Sequence, residues 1–165
     1  GHFQPSAGTT PFGFVFRDDG TLVVSEAAGG AAGASVASSY QIQPNGTLTT
    51  ITSAAPTNQS AACWIAIPRN GHFAYTTNTG SGTITGYSIN PAGALSILDP
   101  SGITGDLGAA AAPLDFDFTP NGRFLYVLDS TADRIETFRR HNDGSLVRLS
   151  ASVGLENGAA GLIVR

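Results

Sequence analysis

The 165-residue sequence predicts an all-β protein of the β-propeller class: three four-stranded blades plus one inner strand of a further blade, a partial propeller spanning residues 1–165. Three observations predict it. Turn glycines Gly20, Gly71 and Gly122 recur at a spacing of 51 residues, and a fixed period of that length marks a stacked supersecondary unit. Each glycine follows Asp or Asn between two β-rich runs, the strongest short-range hairpin signal. No stretch sustains a 3.6-residue apolar period, which removes a helical solenoid as competitor.

The first repeat, residues 11–51, opens with two runs from Phe12 to Glu26 folded about Asp18-Asp19-Gly20. A second hairpin turns at Pro44-Asn45-Gly46, between Ser39–Ile42 and Leu48–Ile51. The second repeat, 62–98, runs from Cys63 to Asn78 about Asn70-Gly71, then turns at Pro91-Ala92-Gly93 between Thr85–Ile89 and Leu95–Leu98. The third, 113–149, runs from Leu114 to Asp129 about Asn121-Gly122, then turns at Asn142-Asp143-Gly144 between Ile135–Phe138 and Leu146–Leu149. Any helical turn in the alanine run 109–112 would end at Pro113, which has no N–H to continue it. Residues 160–165 match the first strand of a fourth repeat.

Three blades and a strand do not close a ring, because closed propellers have roughly 4 to 8 blades. The expected partner is therefore a second copy of the chain, or a missing N-terminal half, covering the open blade faces. Length variation falls in two loops, 27–34 and 101–108. The second is expected between a fourth strand and the next blade. Both emerge at one end of the blades, opposite the tight hairpin turns, and loops on a rigid scaffold are where binding groups collect.

Composition excludes several function classes. A net charge of −4 leaves no electrostatic footprint for nucleic acid or an anionic membrane surface. One cysteine, Cys63, allows neither a disulfide framework nor a multi-cysteine zinc site, and in a strand it reads as an inert small hydrophobe. His2, His72 and His141 are not spaced as a metal triad, and no cofactor is expected. Only 12% of residues are charged; low charge with abundant Ser, Thr, Asn and Gly is the composition of an extracytoplasmic protein.

Three stretches resemble a known family: Phe14 to Glu26, the run from Asn70-Gly71-His72 through Asn78 to Gly86-Tyr87, and Pro120 to Asp129. They are similar to the lactonase-type seven-bladed propellers, which include 6-phosphogluconolactonase and carboxymuconate-lactonising enzymes, and the likeness is to the C-terminal half. The resemblance implies hydrolysis or binding of a small lactone or sugar acid on the loop face of a completed ring. It also implies a catalytic carboxylate at Glu26. A family histidine has Gly13, Trp64 and Asp115 at its matching positions. The alternative is a non-enzymatic propeller that binds a ligand or a protein.

The residues themselves supply the other candidates. Glu26, Asn78 and Asp129 end the second strand of successive blades, where carboxylates and an amide can hold a polar ligand or take a proton. They can equally cap strands and order the loops that follow. Gln59 joins them on the loop side. Asp115 and Asp117 alternate along one strand and so point to one side, toward a sugar, a Ca²⁺ ion or neighbouring backbone. Trp64 offers an aromatic platform for a sugar ring, or blade-to-blade packing.

Overall fold

A computed structural model describes residues 3–165; His2 lies outside the described residues. Three antiparallel sheets follow one another along the chain. Blade 1 contains β1 (Pro11–Phe16), β2 (Thr21–Glu26), β3 (Val36–Ile42) and β4 (Leu48–Pro56). Blade 2 contains β5 (Ala62–Ala66), β6 (Phe73–Asn78), β7 (Thr83–Ile89), β8 (Leu95–Ile97) and β9 (Gly105–Asp106). Blade 3 contains β10 (Pro113–Phe118), β11 (Phe124–Asp129), β12 (Arg134–Arg140) and β13 (Leu146–Val153). The three-blade expectation holds: in each sheet successive strands pair antiparallel with the next in sequence, and in blade 2 β9 additionally pairs with β7.

One loop differs from its expected place. The insertion at 101–108 does not follow the fourth strand of blade 2; it interrupts it. β8 and β9 both pair with β7, and the residues between them loop out. Asp99 organises that excursion by accepting the Ser101 N–H at 2.8 Å and the Ser101 hydroxyl at 2.6 Å. The other variable loop carries one 3-10 turn, Ala28–Gly30, between β2 and β3.

Apolar residues alternate with the strand pleat, so each blade presents one face to the blade before it and one to the blade after. Between blades 1 and 2 lie Val23, Ala37, Ile65, Ala74, Tyr87 and Ile89. Between blades 2 and 3 lie Tyr75, Ile84, Phe116, Phe118, Val127 and Phe138. Burying each phenylalanine there contributes about 2–3 kcal/mol. The first strands of successive blades run side by side. They approach so closely that a Cβ on Gly13 would sit 2.7 Å from the Cys63 carbonyl oxygen, so no side chain fits at that position.

Polar groups at the joints repeat as well. The Ser25 hydroxyl donates to the Cys63 carbonyl, and the Thr77 hydroxyl to the Leu114 carbonyl at 3.0 Å. Both lie one residue before the end of a second strand, and each reaches the first strand of the next blade. Blade 3 carries Leu128 in that place and uses a different device. Asp115 Oδ2 accepts the Leu162 N–H at 2.8 Å, and Asp117 Oδ2 accepts the Val164 N–H at 3.0 Å. Residues 160–165 are thereby held where a following first strand would lie, although they form no strand of their own.

Candidate functional site

The loop end of the blades is built from the second-strand ends. Glu26, Asn78 and Asp129 each face across to the residue that opens the third strand: Val36, Thr83 and Arg134 respectively. All three are completely buried. Burial of a polar group without partners costs stability, so their partners say what each one does.

Glu26 is surrounded by donors. Its Oε1 accepts from the Gly8 N–H at 2.8 Å and from the Ser6 hydroxyl; its Oε2 accepts from the Ser38 hydroxyl at 2.7 Å. The Tyr40 hydroxyl lies 3.5 Å from Oε1 and itself accepts the Ala7 N–H at 2.7 Å. Gly8 comes so close that a Cβ there would be 2.7 Å from the carboxyl carbon. The carboxylate thus fastens the chain segment that enters blade 1.

Asn78 performs a related task in blade 2. Its amide nitrogen donates to the Thr83 hydroxyl at 3.1 Å and the Thr85 hydroxyl at 2.9 Å. The Thr83 hydroxyl in turn donates to Gln59 Oε1 at 3.2 Å, and Gln59 Nε2 donates to the Ser101 carbonyl at 2.9 Å. Gln59 sits in the crossover entering blade 2, so the structure brings Gln59 and Asn78 into one network. Among the described residues Asn78 Oδ1 is buried with no hydrogen-bond partner, an unmet acceptor at the end of this chain of bonds.

Asp129 repeats the pattern with charge. Its Oδ1 accepts the Ala112 N–H at 3.0 Å, again from the crossover into its own blade. Arg134 lies 3.3 Å from Asp129 Oδ2 and 2.8 Å from Glu136 Oε1, in ion pairs whose angles make no hydrogen bond. Arg148 clasps the buried Glu136 with two bonds of 2.7 and 2.5 Å and reaches the Leu107 carbonyl at 3.3 Å. The hydrogen bonds that Arg148 donates to Glu136 hold its guanidinium above its ordinary pKa. Two buried carboxylates and two arginines compensate one another, as buried charges must.

Trp64 and Asp115 lie elsewhere. Trp64 is 38% exposed on the first strand of blade 2, edge-on to the Phe12 ring at 5.4 Å and 72°. The pair forms an exposed aromatic ledge across the first strands of blades 1 and 2. Asp115 is half-buried, and its oxygens accept backbone N–H groups from Phe116 and Leu162. Asp117 does the same with Phe118 and Val164. Among the described residues no cluster of three or more His, Cys, Asp or Glu side chains is placed to hold a metal ion. Cys63 is buried and accepts the Thr79 hydroxyl at 3.1 Å, while His72 and His141 are exposed at the tight-turn end.

The sequence reading missed Ser6, Gly8 and Tyr40 around Glu26, Phe12 beside Trp64, and the Arg134–Glu136–Arg148 cluster. A signal existed for the last: a charged residue at the position of Glu136 departs from Ser38 and Thr85, its equivalents in blades 1 and 2.

Comparison with known proteins places this geometry in context. A family model described as "Lactonase, 7-bladed beta-propeller" matches residues 2–161. The 6-phosphogluconolactonase of Serratia proteamaculans is 34% identical over 114 residues, covering 64% of this chain and 33% of that protein. Its counterpart from Pectobacterium carotovorum subsp. carotovorum is 32% identical over 109 residues, covering 62% and 30%. The chain thus matches about a third of the length of these curated relatives. A solved Bacteroides uniformis structure superposes with a TM-score of 0.75 at 22% identity, covering 93% of this chain and 47% of that one. The periplasmic gluconolactonase of Pseudomonas aeruginosa superposes with a TM-score of 0.68 at 22% identity, covering 89% and 41%.

Proposed function

The chain belongs to the lactonase family of seven-bladed β-propellers, and from that premise we propose that it contributes three blades to a ring that binds and hydrolyses a small lactone of a sugar acid on its loop face. The observation that carries the reading is the match of the family model across nearly the whole chain, with relatives named 6-phosphogluconolactonase. In hydrolysis, water adds to the lactone carbonyl carbon, the ring C–O bond breaks, and the released alkoxide takes the proton that the water lost. A carboxylate that removes that proton speeds such a step by roughly 10²–10⁴-fold.

In this proposal Glu26 is the base, the Trp64–Phe12 ledge supports the apolar face of the sugar ring, and Gln59, Asn78, Asp115 and Asp129 orient its hydroxyls. Asn78 Oδ1, an acceptor without a partner, supports a role in receiving a hydroxyl donor. An unphosphorylated lactone suits the loop end better than a phosphorylated one, because Arg134 and Arg148 are both committed to Glu136. A second reading, a propeller that binds without turnover, is favoured by one observation: hydrogen-bond donors from Ser6, Gly8 and Ser38 already fill the Glu26 oxygens.

The test compares the chain with its Glu26→Gln variant on δ- and γ-lactones of sugar acids, measured above spontaneous hydrolysis. The hydrolase reading expects turnover that falls at least about 100-fold in the variant. Equal rates would remove Glu26 from the mechanism. Saturable binding without turnover, in both proteins, would leave the binding reading standing.

A further inference from the structure

We propose that the tight-turn end of the joint between blades 2 and 3 is an anion site built for a phosphate dianion, free or as the terminal group of a phosphate ester. It stands at the opposite end of the blades from the loop face and is independent of the lactone chemistry. Both blades that form it carry all four of their strands.

Positive charge is unevenly placed in this chain. All eight of its basic residues are arginines, within a net charge of −4. Arg17 is neutralised by Asp19, and Arg134 and Arg148 by Asp129 and Glu136. Arg123 and Arg140 make no ion pair among the described residues. With Asn70, Asn121, His141 and Asn142 they line one cleft of about 490 Å³. Arg139 borders it from the other pleat of β12, and no carboxylate lines it among the described residues. Asp143, in the same turn as His141, accepts the Ser145 N–H and hydroxyl at 3.0 and 2.7 Å and lines a separate depression with Asp99.

The turns aim donors into this cleft. Asn70 Oδ1 accepts the His72 N–H at 3.3 Å; Asn121 Oδ1 accepts the Arg123 N–H at 3.0 Å and the Thr119 hydroxyl at 2.7 Å. Each turn thereby consumes the amide oxygen and leaves the amide N–H groups for a ligand. Arg140 is fixed in place: Nε donates to the Gly122 carbonyl at 2.7 Å, Nη1 to the His141 carbonyl at 3.0 Å, and the guanidinium lies 5.5 Å from the centre of the Phe73 ring. Its Nη2 remains uncommitted. Blade 2 also holds the turn that carries His141, because the Tyr75 hydroxyl donates to the Gly144 carbonyl at 2.7 Å, just as Ser39 of blade 1 holds the Gly93 carbonyl at 2.8 Å. Walls set in advance lower the ordering cost of binding.

The joint between blades 1 and 2 is the internal contrast. There Arg17 donates to the Asn90 carbonyl at 2.9 Å, as Arg140 does to His141, but Asp19 lies 3.3 Å from that guanidinium. The cleft left between them holds only about 40 Å³. Asp19 Oδ1 accepts the Thr21 N–H at 3.0 Å, the same turn bond that Asn121 makes with Arg123. The fold therefore accepts either residue, and asparagine at 70 and 121 removes negative charge from the larger cleft. Guanidinium and amide N–H groups are donors only. A carboxylate, with one charge and two oxygens, is satisfied by a single guanidinium fork; two guanidiniums and two amides suit a dianion with three or more oxygens. The cleft also has room beside the phosphoryl group for the alcohol part of an ester.

Titrations followed by ¹H–¹⁵N NMR at fixed ionic strength test the proposal, with inorganic phosphate, glycerol 3-phosphate, glycerol and acetate as probes. Both phosphates are expected to give saturable shifts at the backbone amides of Gly122, Arg123 and His141, with those of Ser101 and Gly108 at the loop end unmoved. Glycerol is expected to give none, and acetate to bind at least about tenfold more weakly. Tighter binding of glycerol 3-phosphate assigns the cleft to an ester, and tighter binding of phosphate to the free ion. Arg123→Gln, an exposed change, is expected to weaken phosphate at least about tenfold, the loss of a charge-assisted hydrogen bond. Asn121→Asp, which keeps the turn bond and restores the acid of blade 1, is expected to do the same, and Arg17→Gln to change nothing. The absence of saturable shifts at these amides overturns the proposal. So does acetate binding as tightly as phosphate, or undiminished phosphate binding by both Arg123→Gln and Asn121→Asp.

Discussion

Glu26 is reached by donors from two places: Ser6 and Gly8 ahead of blade 1, and Ser38 and Tyr40 on the third strand. Truncating it leaves those donors buried without an acceptor, and each unsatisfied group costs about 1–3 kcal/mol. Glu26→Ala is therefore expected to destabilise the fold by roughly 3 kcal/mol in urea denaturation, and to expose the segment around Ser6 to proteolysis under native conditions. Unchanged stability and an unchanged cleavage pattern would contradict the fastening role. The sequence made Glu26 conspicuous through its place at a strand end. It concealed the partners, because Ser6 and Gly8 lie 20 and 18 residues upstream and have no motif of their own. Asp115 and Asp117 teach the same lesson. Their alternation predicted a shared direction, which the structure bears out, but backbone N–H groups 47 residues away carry no side-chain signature.

At the scale of the element, the turns were the most legible features, because a positive φ limits the choice of residue. Gly20, Gly71 and Gly122 have φ of 85°, 68° and 65°, a region that only glycine enters without strain. The least legible element was the fourth strand of blade 2, since nothing in Leu95–Leu98 signals that pairing resumes at Gly105. Two turns carry a pH response. Asp99 and Asp143 each accept a hydroxyl and an N–H from the serine two residues on, and those bonds hold both carboxyls below the ordinary value of 3.8. The charged forms are favoured in the folded state. Their contribution is complete above the unfolded value near 3.8 and is lost as pH falls through the lower folded values. Thermal unfolding followed from pH 5 downward is expected to show a decline that begins below about pH 4 and is shallower in the Ser101→Ala/Ser145→Ala variant. An identical slope in both proteins would place the acid sensitivity elsewhere.

Across the whole molecule, stability is carried by joints between neighbours, with no core shared by all three sheets. The two apolar clusters sit one at each joint and have no residue in common. That arrangement was readable from the 51-residue period, since a repeat must bury its faces on adjacent repeats. What each joint uses to align itself was not readable, because Ser39 on the third strand of blade 1 and Tyr75 on the second strand of blade 2 perform the same task from different positions with different side chains.

The fastening of each crossover to its own blade has a mechanical consequence. Gly8, Gln59 and Ala112 are each secured by the blade they enter, so tension on the two ends of the chain is borne first by an end blade and its clamp. Held between two beads, the molecule is expected to lengthen in discrete steps instead of one. Each step should release the slack of one 51-residue repeat, about 170 Å of contour. Glu26→Ala is expected to lower the force of a single step and leave the other two where they were. A propeller of this build resembles a row of latched doors, each bolted from its own side.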